Sequence, residues 1–347
     1  MIPKLKALAA TAASVPITVF GLLLVTFFIG RVVPIDPVLA ILGDRAPQEL
    51  VEKTRIALGL DQPLYVQYIY WLIGNDWAKI DLDGDGVAET PGQQKGVLRG
   101  EFGTSLVTRG VPAWTVIKER IPRTLLLMIP AEIIILFFSL IIGIFSALKQ
   151  YSVTDHVITG ISFVGYSMPI FFIALLSIQL FAIKFRQWGL PALPPNQMFD
   201  PQVGKTPSQV ALHMVLPLFS LTFISIAGYS RYVRSQMLET LSQDYIRTAR
   251  SKGLSERAVI YVHALKNASL PLVTIVGLDI PLLLAGAVVT ETIFSWQGMG
   301  FLFIDHVSRG DTPVIMAILM LVSVAVVVFQ LITDVVYAWL DPRIRYD

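Results

Sequence analysis

The chain has no cysteine and is poor in histidine and charged residues. Without cysteine it can form no disulfide framework, thiolate metal site, iron–sulfur cluster or cysteine nucleophile. Four histidines leave little scope for a histidine-rich metal centre, and a net charge of +2 is no polybasic footprint for nucleic acid. Charged residues make up 15% of the 347 residues, whereas soluble domains carry about 25%. These scarcities exclude an ordinary soluble domain.

Hydrophobic residues, by contrast, make up 54% of the chain, and its mean hydropathy is +0.66. A helix that crosses the bilayer core needs about 20 consecutive apolar residues, because its backbone polar groups must be satisfied within the helix. Six runs come close to or exceed this length: 12–29, 124–148, 159–183, 210–229, 268–289 and 313–340. The sequence therefore predicts an all-α integral membrane protein with six transmembrane helices.

The first apolar run is predicted to remain as an anchor. It is longer than the roughly 7–15 residues of a signal-peptide core, and no small-residue cleavage site follows it. The predicted domains are this anchor at 1–33, an extracytoplasmic segment at 34–112, a five-helix core at 113–340 and a tail at 341–347.

The distribution of basic residues predicts the orientation. The 290–312 loop contains Arg309 as its one lysine or arginine, whereas the 231–266 loop is rich in both. Its basic residues are Arg231, Arg234, Arg247, Arg250, Lys252, Arg257 and Lys266. By the positive-inside rule, both termini and the 231–266 loop are cytoplasmic. The segments 30–123, 184–209 and 290–312 then face outward.

The outer segment contains an acidic loop at 81–89. Carboxylates at positions 1, 3 and 5, a glycine at 6 and a carbonyl at 7 are how an EF-type loop wraps Ca²⁺. The candidate ligands are Asp81, Asp83, Asp85, Val87 and Glu89. The bidentate glutamate expected at position 12 is missing, because Gly92 stands there. The pattern fits a structural Ca²⁺ site that orders the loop, or a solvated acidic turn that needs no ion.

The cytoplasmic loop, at 240–266, has a regular plan. Asp244 is suited to cap the start of a short helix and Gly253 to end it, while Lys252 in the last turn favours the helix dipole. Ser255 then offers a second cap, with Glu256 in the first turn of the next helix.

An apolar stripe and basic residues share the first of these helices. The stripe consists of Tyr245, Ile246, Ala249 and Leu254, and the basic residues are Arg247, Arg250 and Lys252. A short exposed helix of this kind suits docking into a groove on a soluble partner. The alternative is a basic loop that lies on anionic lipid headgroups.

The loop resembles the cytoplasmic coupling loop of ABC importer permeases. The resemblance rests on DYIRTARSKGL at 244–254 and HALKNA at 263–268, followed by Pro271. It extends to GLDQPL at 59–64, FGTS at 102–105, IPRTL at 121–125, SMP at 167–169, ETIFSW at 291–296 and LDPRIR at 340–345. Generic permeases have Glu-Ala-Ala at this point, whereas this chain has Arg247-Thr248-Ala249. The latter form is associated with the peptide subclass, and the chain most resembles the B-type permease of dipeptide, oligopeptide and nickel importers.

The resemblance implies a type I ABC importer with two permease chains, two ATPase subunits and an extracytoplasmic substrate-binding protein. The loop would transmit ATPase closure through Tyr245, Arg247, Ala249, Arg250, Lys252, Gly253 and Leu254. Peptides are the implied cargo, although relatives also move oligosaccharides and nickel chelates. This chain departs from the family pattern at 75–99, which looks like an insertion, and at Gln297, where the family usually has proline.

Two carboxylates lie inside predicted spans, Glu132 and Asp279. Intramembrane carboxylates are costly and indicate function, so both are candidates for the translocation pathway. An interhelical hydrogen bond to serine, threonine or tyrosine is the alternative. The sequence contains no P-loop and no H-E-x-x-H or G-x-S-x-G motif, so the chain is predicted to be non-catalytic, with ATP and Mg²⁺ on partner subunits. An ion-gradient-driven transporter is the rival class, but the inverted repeats it predicts are not evident.

Overall fold

The computed structural model describes residues 16–30, 36–43, 45–81, 88–92, 94–108 and 110–340. The chain divides into two compact units. The first consists of Pro122–Phe301 and the last helix from Ala325 onward, and the second of Ser14–Ile121 and Leu302–Val324.

The described residues are almost entirely helical. The helices of the first half are α1 Pro16–Gly30, α2 Pro37–Leu42, α3 Gln48–Ala57, α4 Leu64–Ile73, α5 Ala113–Lys118, α6 Ile121–Leu148, α7 Val153–Ser167 and α8 Ile170–Gln187. Those of the second half are α9 Pro207–Leu241, α10 Asp244–Ser251, α11 Glu256–Ala268, α12 Leu270–Ala285, α13 Val288–Ile293, α14 Met299–Ser308 and α15 Thr312–Leu340.

Four stretches of the described chain are long and apolar enough to cross a membrane. They are Ala113–Leu148, Ile170–Gln187, Pro207–Leu241 and Thr312–Thr333. The helices Glu256–Ala268 and Pro271–Gly277 make a fifth if the pair, bent by 43°, is one span. The predicted all-α membrane architecture is confirmed at this level. Of the first predicted span, the described part is the apolar helix α1.

The third predicted span, 159–183, is wrong at its start. The backbone is extended at Met168, so α7 ends at Ser167 and a new helix begins at Ile170. The cause is Pro169, because a proline disfavours the helical conformation in the residue before it. The apolar helix therefore starts eleven residues later than predicted and continues to Gln187 through a π-helical stretch at Ile178–Lys184.

The described part of the predicted insertion at 75–99 contains two short paired strands of a β-hairpin. Its strands, β1 Lys79–Ile80 and β2 Thr90–Pro91, are antiparallel. At the base, the amide N–H of Asn75 donates to the carbonyl of Gln94 at 2.9 Å, and the amide N–H of Gln94 donates to Asn75 Oδ1 at 2.9 Å. Arg99 donates to the Asp76 carboxylate through both terminal nitrogens. These contacts give the insertion a fixed base.

A buried carboxylate fastens the second unit. Asp311 accepts hydrogen bonds from the amides of Leu106 and Val107 at 3.1 and 3.2 Å, and also from the Ser105 hydroxyl. His306 Nδ1 lies 2.8 Å from the same carboxylate. Burial acts to raise the pKa of Asp311, but these hydrogen bonds outweigh it and the pKa is lowered.

Replacing Asp311 by asparagine is expected to open this contact. Removing one member of a buried charged network costs about 3 kcal/mol, so amide exchange at Leu106 and Val107 should be roughly a hundredfold faster. Since the folded pKa is lowered, the carboxylate stabilises the fold above its unfolded pKa, and that stability is lost as pH falls through the folded pKa. Asp305→Asn, which removes the exposed ion pair with Arg309, is the control. Unchanged exchange at both amides in D311N would contradict the assignment.

Candidate functional site

The helix α10 is seated on the first unit by its apolar side. Ile246 is fully buried and Ala249 is 7% exposed. Both belong to one hydrophobic cluster that also contains Ile144, Ala147, Val233, Met237, Val259, Ile260, Ala264, Ala268 and Leu272. The cluster draws on α6, α9, α11 and α12, so α10 packs against the ends of the long helices rather than projecting freely.

The other side of α10 is polar and exposed. The Arg247 side chain is 82% exposed, and Arg250, Lys252 and Leu254 are also exposed. Of the seven predicted coupling residues, the structure therefore places Ala249 in the core and the other six at the surface. The predicted four-residue apolar stripe is split in the same way, since Tyr245 and Leu254 are exposed while Ile246 and Ala249 are buried.

A Schellman turn ends α10, as the glycine predicted. Gly253 has φ +77°, its amide N–H donates to the Arg250 carbonyl, and the Leu254 N–H donates to the Ala249 carbonyl. Ser255 caps the next helix, where its hydroxyl accepts from the Ala258 N–H. The predicted cap Asp244 is wrong by one residue. Gln243 holds the extended backbone of the cap position, and Asp244 is the first helical residue.

An ion pair connects α10 to α11 across this turn. Arg250 Nη2 lies 2.7 Å from Glu256 Oε1, and Nε lies 3.3 Å from Oε2. The hydrogen bonds from Arg250 lower the pKa of Glu256. Both side chains are exposed, so the pair adds little stability. Its geometry nevertheless connects the two helices on either side of Gly253.

A polar cleft of about 260 Å³ lies beside α10. Its lining is Gln236, Glu239, Thr240, Gln243, Tyr245 and Asn267. Asn267 Nδ2 donates to the Tyr245 hydroxyl at 3.1 Å, which orients the ring at the edge of the cleft. Sequence reasoning missed the cleft, because α9, α10 and α11 contribute to it and no local pattern links them.

The two intramembrane carboxylates are neighbours. Glu132 of α6 and Asp279 of α12 interact electrostatically. Asp279 accepts a hydrogen bond from the Tyr229 hydroxyl, as the alternative reading anticipated. Glu132 Oε1 is buried and has no hydrogen-bond partner among the residues that the structure describes. Asp279 is therefore bonded to a tyrosine of a neighbouring helix, whereas Glu132 Oε1 is buried without a hydrogen bond among the described residues.

The turn predicted to face outward is held by a buried carboxylate that sequence reasoning did not single out. Glu291 is fully buried and accepts from the Thr124 hydroxyl at 2.8 Å and the Phe301 N–H at 3.0 Å. Burial raises its pKa, although these hydrogen bonds act in the opposite direction. Gln297, where the family usually has proline, accepts from Arg123 Nη1 at 2.9 Å. A side-chain contact therefore holds the turn at the position where proline would stiffen it.

The acidic loop lies mostly outside the described residues. Asp83, Asp85 and Val87 belong to the part that is not described, whereas Asp81 and Glu89 border it. The register Ile80↔Thr90 makes Asp81 and Glu89 the next opposed positions of the hairpin. Among the described residues, no group of three or more histidine or acidic side chains is arranged to hold a metal ion.

Known proteins match the chain along nearly its whole length. Residues 139–346 match the family described as "Binding-protein-dependent transport system inner membrane component", and residues 5–128 match "Binding-prot-dependent transport system membrane comp, N-term". The oligopeptide transport system permease protein AppB of Bacillus subtilis is 39% identical over 339 residues, which cover 97% of this chain and 98% of that protein.

Two further relatives are similar over the same extent. The di/tripeptide transport system permease protein DppB of Pseudomonas aeruginosa is 38% identical, and the dipeptide transport system permease protein DppB of Escherichia coli is 35% identical. Each alignment covers 95% of both chains. The chain therefore belongs to the family of binding-protein-dependent transport system inner membrane components, as a multi-pass, non-catalytic permease subunit of the ABC transporter class, in which partner subunits hydrolyse ATP.

Proposed function

We propose that this chain is one of two permease subunits of an ATP-driven peptide importer. Its partners would be a second permease, two ATP-binding subunits and an extracytoplasmic substrate-binding protein. The names of the relatives support peptide as the cargo, since they are described as oligopeptide, di/tripeptide and dipeptide permeases. The six apolar runs support an arrangement of six spans, and the basic 231–266 loop supports an orientation with both termini in the cytoplasm.

The single observation that carries the coupling role is the two-sided character of α10. Its buried side joins the cluster of α6, α9, α11 and α12, and its exposed side presents Arg247, with the exposed Lys252 directly after its last residue. A docked ATPase subunit would bind the exposed side of α10. Its movement would then displace the helices α6, α9, α11 and α12, which pack against the buried side. Transport requires two conformational states of the membrane helices, and ATP binding shifts their populations. In this proposal, α10 connects the ATPase subunit to those helices.

The importer proposal is tested by reconstituting the chain with its partner subunits in liposomes. Peptide-loaded binding protein is expected to raise ATP turnover, and peptide should accumulate only when ATP is hydrolysed. Peptide-independent ATP turnover, or uptake by this chain alone under an ion gradient, would overturn the proposal in favour of a secondary transporter.

Glu132 and Asp279 are proposed to line the translocation pathway, where they meet the protonated amino terminus of a peptide. The position of both carboxylates within apolar helices supports this role, because charged groups avoid lipid and carboxylates inside spans usually face the interior of the bundle or a water-filled cavity.

Replacing Glu132 by glutamine is expected to slow uptake of peptides with a free amino terminus about tenfold, since a charge-assisted contact contributes about 1.5–3 kcal/mol. Uptake of the same peptides with an acetylated amino terminus should change little. Glu119→Gln, which neutralises an exposed carboxylate, is the matched control. Equal losses for free and acetylated peptides would remove Glu132 from the pathway.

The loop at 81–89 is proposed to bind a structural Ca²⁺ through the five predicted ligands. The clamped hairpin base supports this proposal, because it brings Asp81 and Glu89 to opposed positions. Calorimetric titration with Ca²⁺ should show heat for the native chain and none for Asp83→Ala, with Glu119→Gln retaining the native signal. Identical heats for the native chain and D83A would mean that the loop is an ion-free acidic turn.

A further inference from the structure

The corner between α6 and α7 contains a buried carboxylate with every oxygen satisfied. Asp155 is 2% exposed. Arg234 of α9 donates to it through Nε and Nη2, both at 2.9 Å, and the Ser146 hydroxyl of α6 donates as well. The Tyr151 amide N–H is the fourth donor, at 2.9 Å. The hydrogen bonds from Arg234, followed by that from Ser146, hold the pKa of Asp155 well below its usual range.

One residue of the corner, Tyr151, has a strained backbone conformation, and its N–H donates to Asp155. Tyr151 has φ +63°, a left-handed conformation that side chains other than glycine adopt at a cost, and its ring is exposed rather than packed. The strained conformation is accompanied by the hydrogen bond from its N–H to Asp155. Ser152 meanwhile caps α7 by accepting from the Asp155 N–H at 3.2 Å. Asp155 therefore fixes the corner as well as its contact with α9.

This contact adjoins the cluster that seats α10. Ser146 is next to the cluster member Ala147, and Arg234 is next to the cluster member Val233. One turn away, α6 and α9 are in close contact at Gly143, where an added Cβ would lie 2.6 Å from Val233 Cβ. The Asp155 carboxylate bonds to Ser146 of α6 and to Arg234 of α9, so it connects these two helices, as do the close contact at Gly143 and the cluster. All three contacts lie at the end where α10 is attached.

We propose that Asp155 is a positioning residue for energy coupling, because its bonds to Ser146 of α6 and to Arg234 of α9 together fix the register of these two helices. A displacement of α10 by a partner then moves both helices as one body. We call the bonds of Asp155 to Ser146 and Arg234 the lock. Without the lock, α6 and α9 would slide past each other, and the displacement of α10 would not reach both helices. The inference rests on the proposed coupling role of α10 and adds the means by which its movement reaches two long helices.

The test measures peptide transported per ATP hydrolysed in the reconstituted complex. For Asp155→Asn we expect assembly and basal ATP turnover to be retained, with transport per ATP lower by about fivefold, within the range that coupling mutations produce. Arg234→Gln should give a similar loss, and the double variant should be no worse than either single variant, because both remove the same lock. Asp305→Asn, which removes an exposed ion pair, should leave the ratio unchanged.

An unchanged ratio in D155N, or additive losses in the double variant, would overturn the inference. If D155N fails to assemble, Ser146→Ala decides, because it removes one donor and leaves the Arg234 pair; a smaller fall supports the lock and an unchanged ratio overturns it. Leu254→Asp in the same assay separates the two proposals. Intact peptide-stimulated ATP turnover in L254D would defeat the coupling role of α10, whereas its loss alongside a normal D155N ratio would defeat the lock alone.

Discussion

Replacing Gly253 by proline is expected to lower peptide-stimulated ATP turnover at least about tenfold, because proline holds φ near −65° and cannot adopt the left-handed turn. The native φ at this position is +77°, and the Gly253 N–H donates to the Arg250 carbonyl, a bond that proline removes. The end of α10 would then separate from α11. Turnover is measured in the reconstituted complex with peptide-loaded binding protein.

The control is Gly253→Asn, because asparagine tolerates the left-handed region better than most side chains. An added Cβ at Gly253 meets nothing within 4 Å, so the strain is confined to the backbone. G253N should retain turnover within about fivefold, in keeping with a backbone cost of about 1 kcal/mol. If G253P and G253N behave alike, the turn geometry is not what couples the subunits.

Reversing the charges of Arg247 and Lys252 together is expected to weaken binding of the ATP-binding subunits by at least about tenfold, since like charges opposed at an interface cost several kcal/mol. Both side chains are exposed, and neither contributes to the cluster that seats α10. The thermal stability of the permease should therefore hardly change, as is usual for surface substitutions. Binding of purified ATP-binding subunits to permease-containing liposomes measures the effect.

The matched control reverses the charges of Arg186 and Lys205. These are two exposed basic residues in the 184–209 segment, which is predicted to face outward. It makes the same change in net charge, so it separates a local contact from a general electrostatic effect. Equal binding of the ATP-binding subunits to both double variants would mean that α10 is not their contact. If R247E/K252E loses thermal stability and the control double variant does not, Arg247 and Lys252 stabilise the fold instead of contacting the ATP-binding subunits.

The end of α10 and the start of α11 are predictable because their signals are local. A glycine that needs positive φ and a serine that caps the next helix identify themselves by residue type, and both predictions are confirmed. Asp244 was misplaced because Gln243 takes the extended backbone of the cap position, and acidic residues favour both the cap and the first turn. The break before Pro169 also has a local signal, which the uninterrupted apolar run at 159–183 concealed.

The long-range polar contacts inside each of the two units could not be predicted. Asp155 and Arg234 are 79 residues apart, Thr124 and Glu291 are 167 apart, and Ser105 and Asp311 are 206 apart. Each pair depends on which helices or loops pack together, and a hydropathy pattern carries no information about that packing. The same limit applies to Glu132 and Asp279, which were identified as intramembrane carboxylates without any indication that they are neighbours.

The central claim is that an ATP-binding subunit grips the exposed side of α10, and site-specific cross-linking tests it most directly. Because the chain contains no cysteine, a single cysteine can be placed at Leu254, with Val203 of the predicted outer loop as the exposed control. In the assembled transporter, Leu254→Cys is predicted to cross-link to an ATP-binding subunit and Val203→Cys is not. Cross-linking of Leu254→Cys to lipid alone, or its free reaction with a water-soluble maleimide in the full complex, would contradict the account.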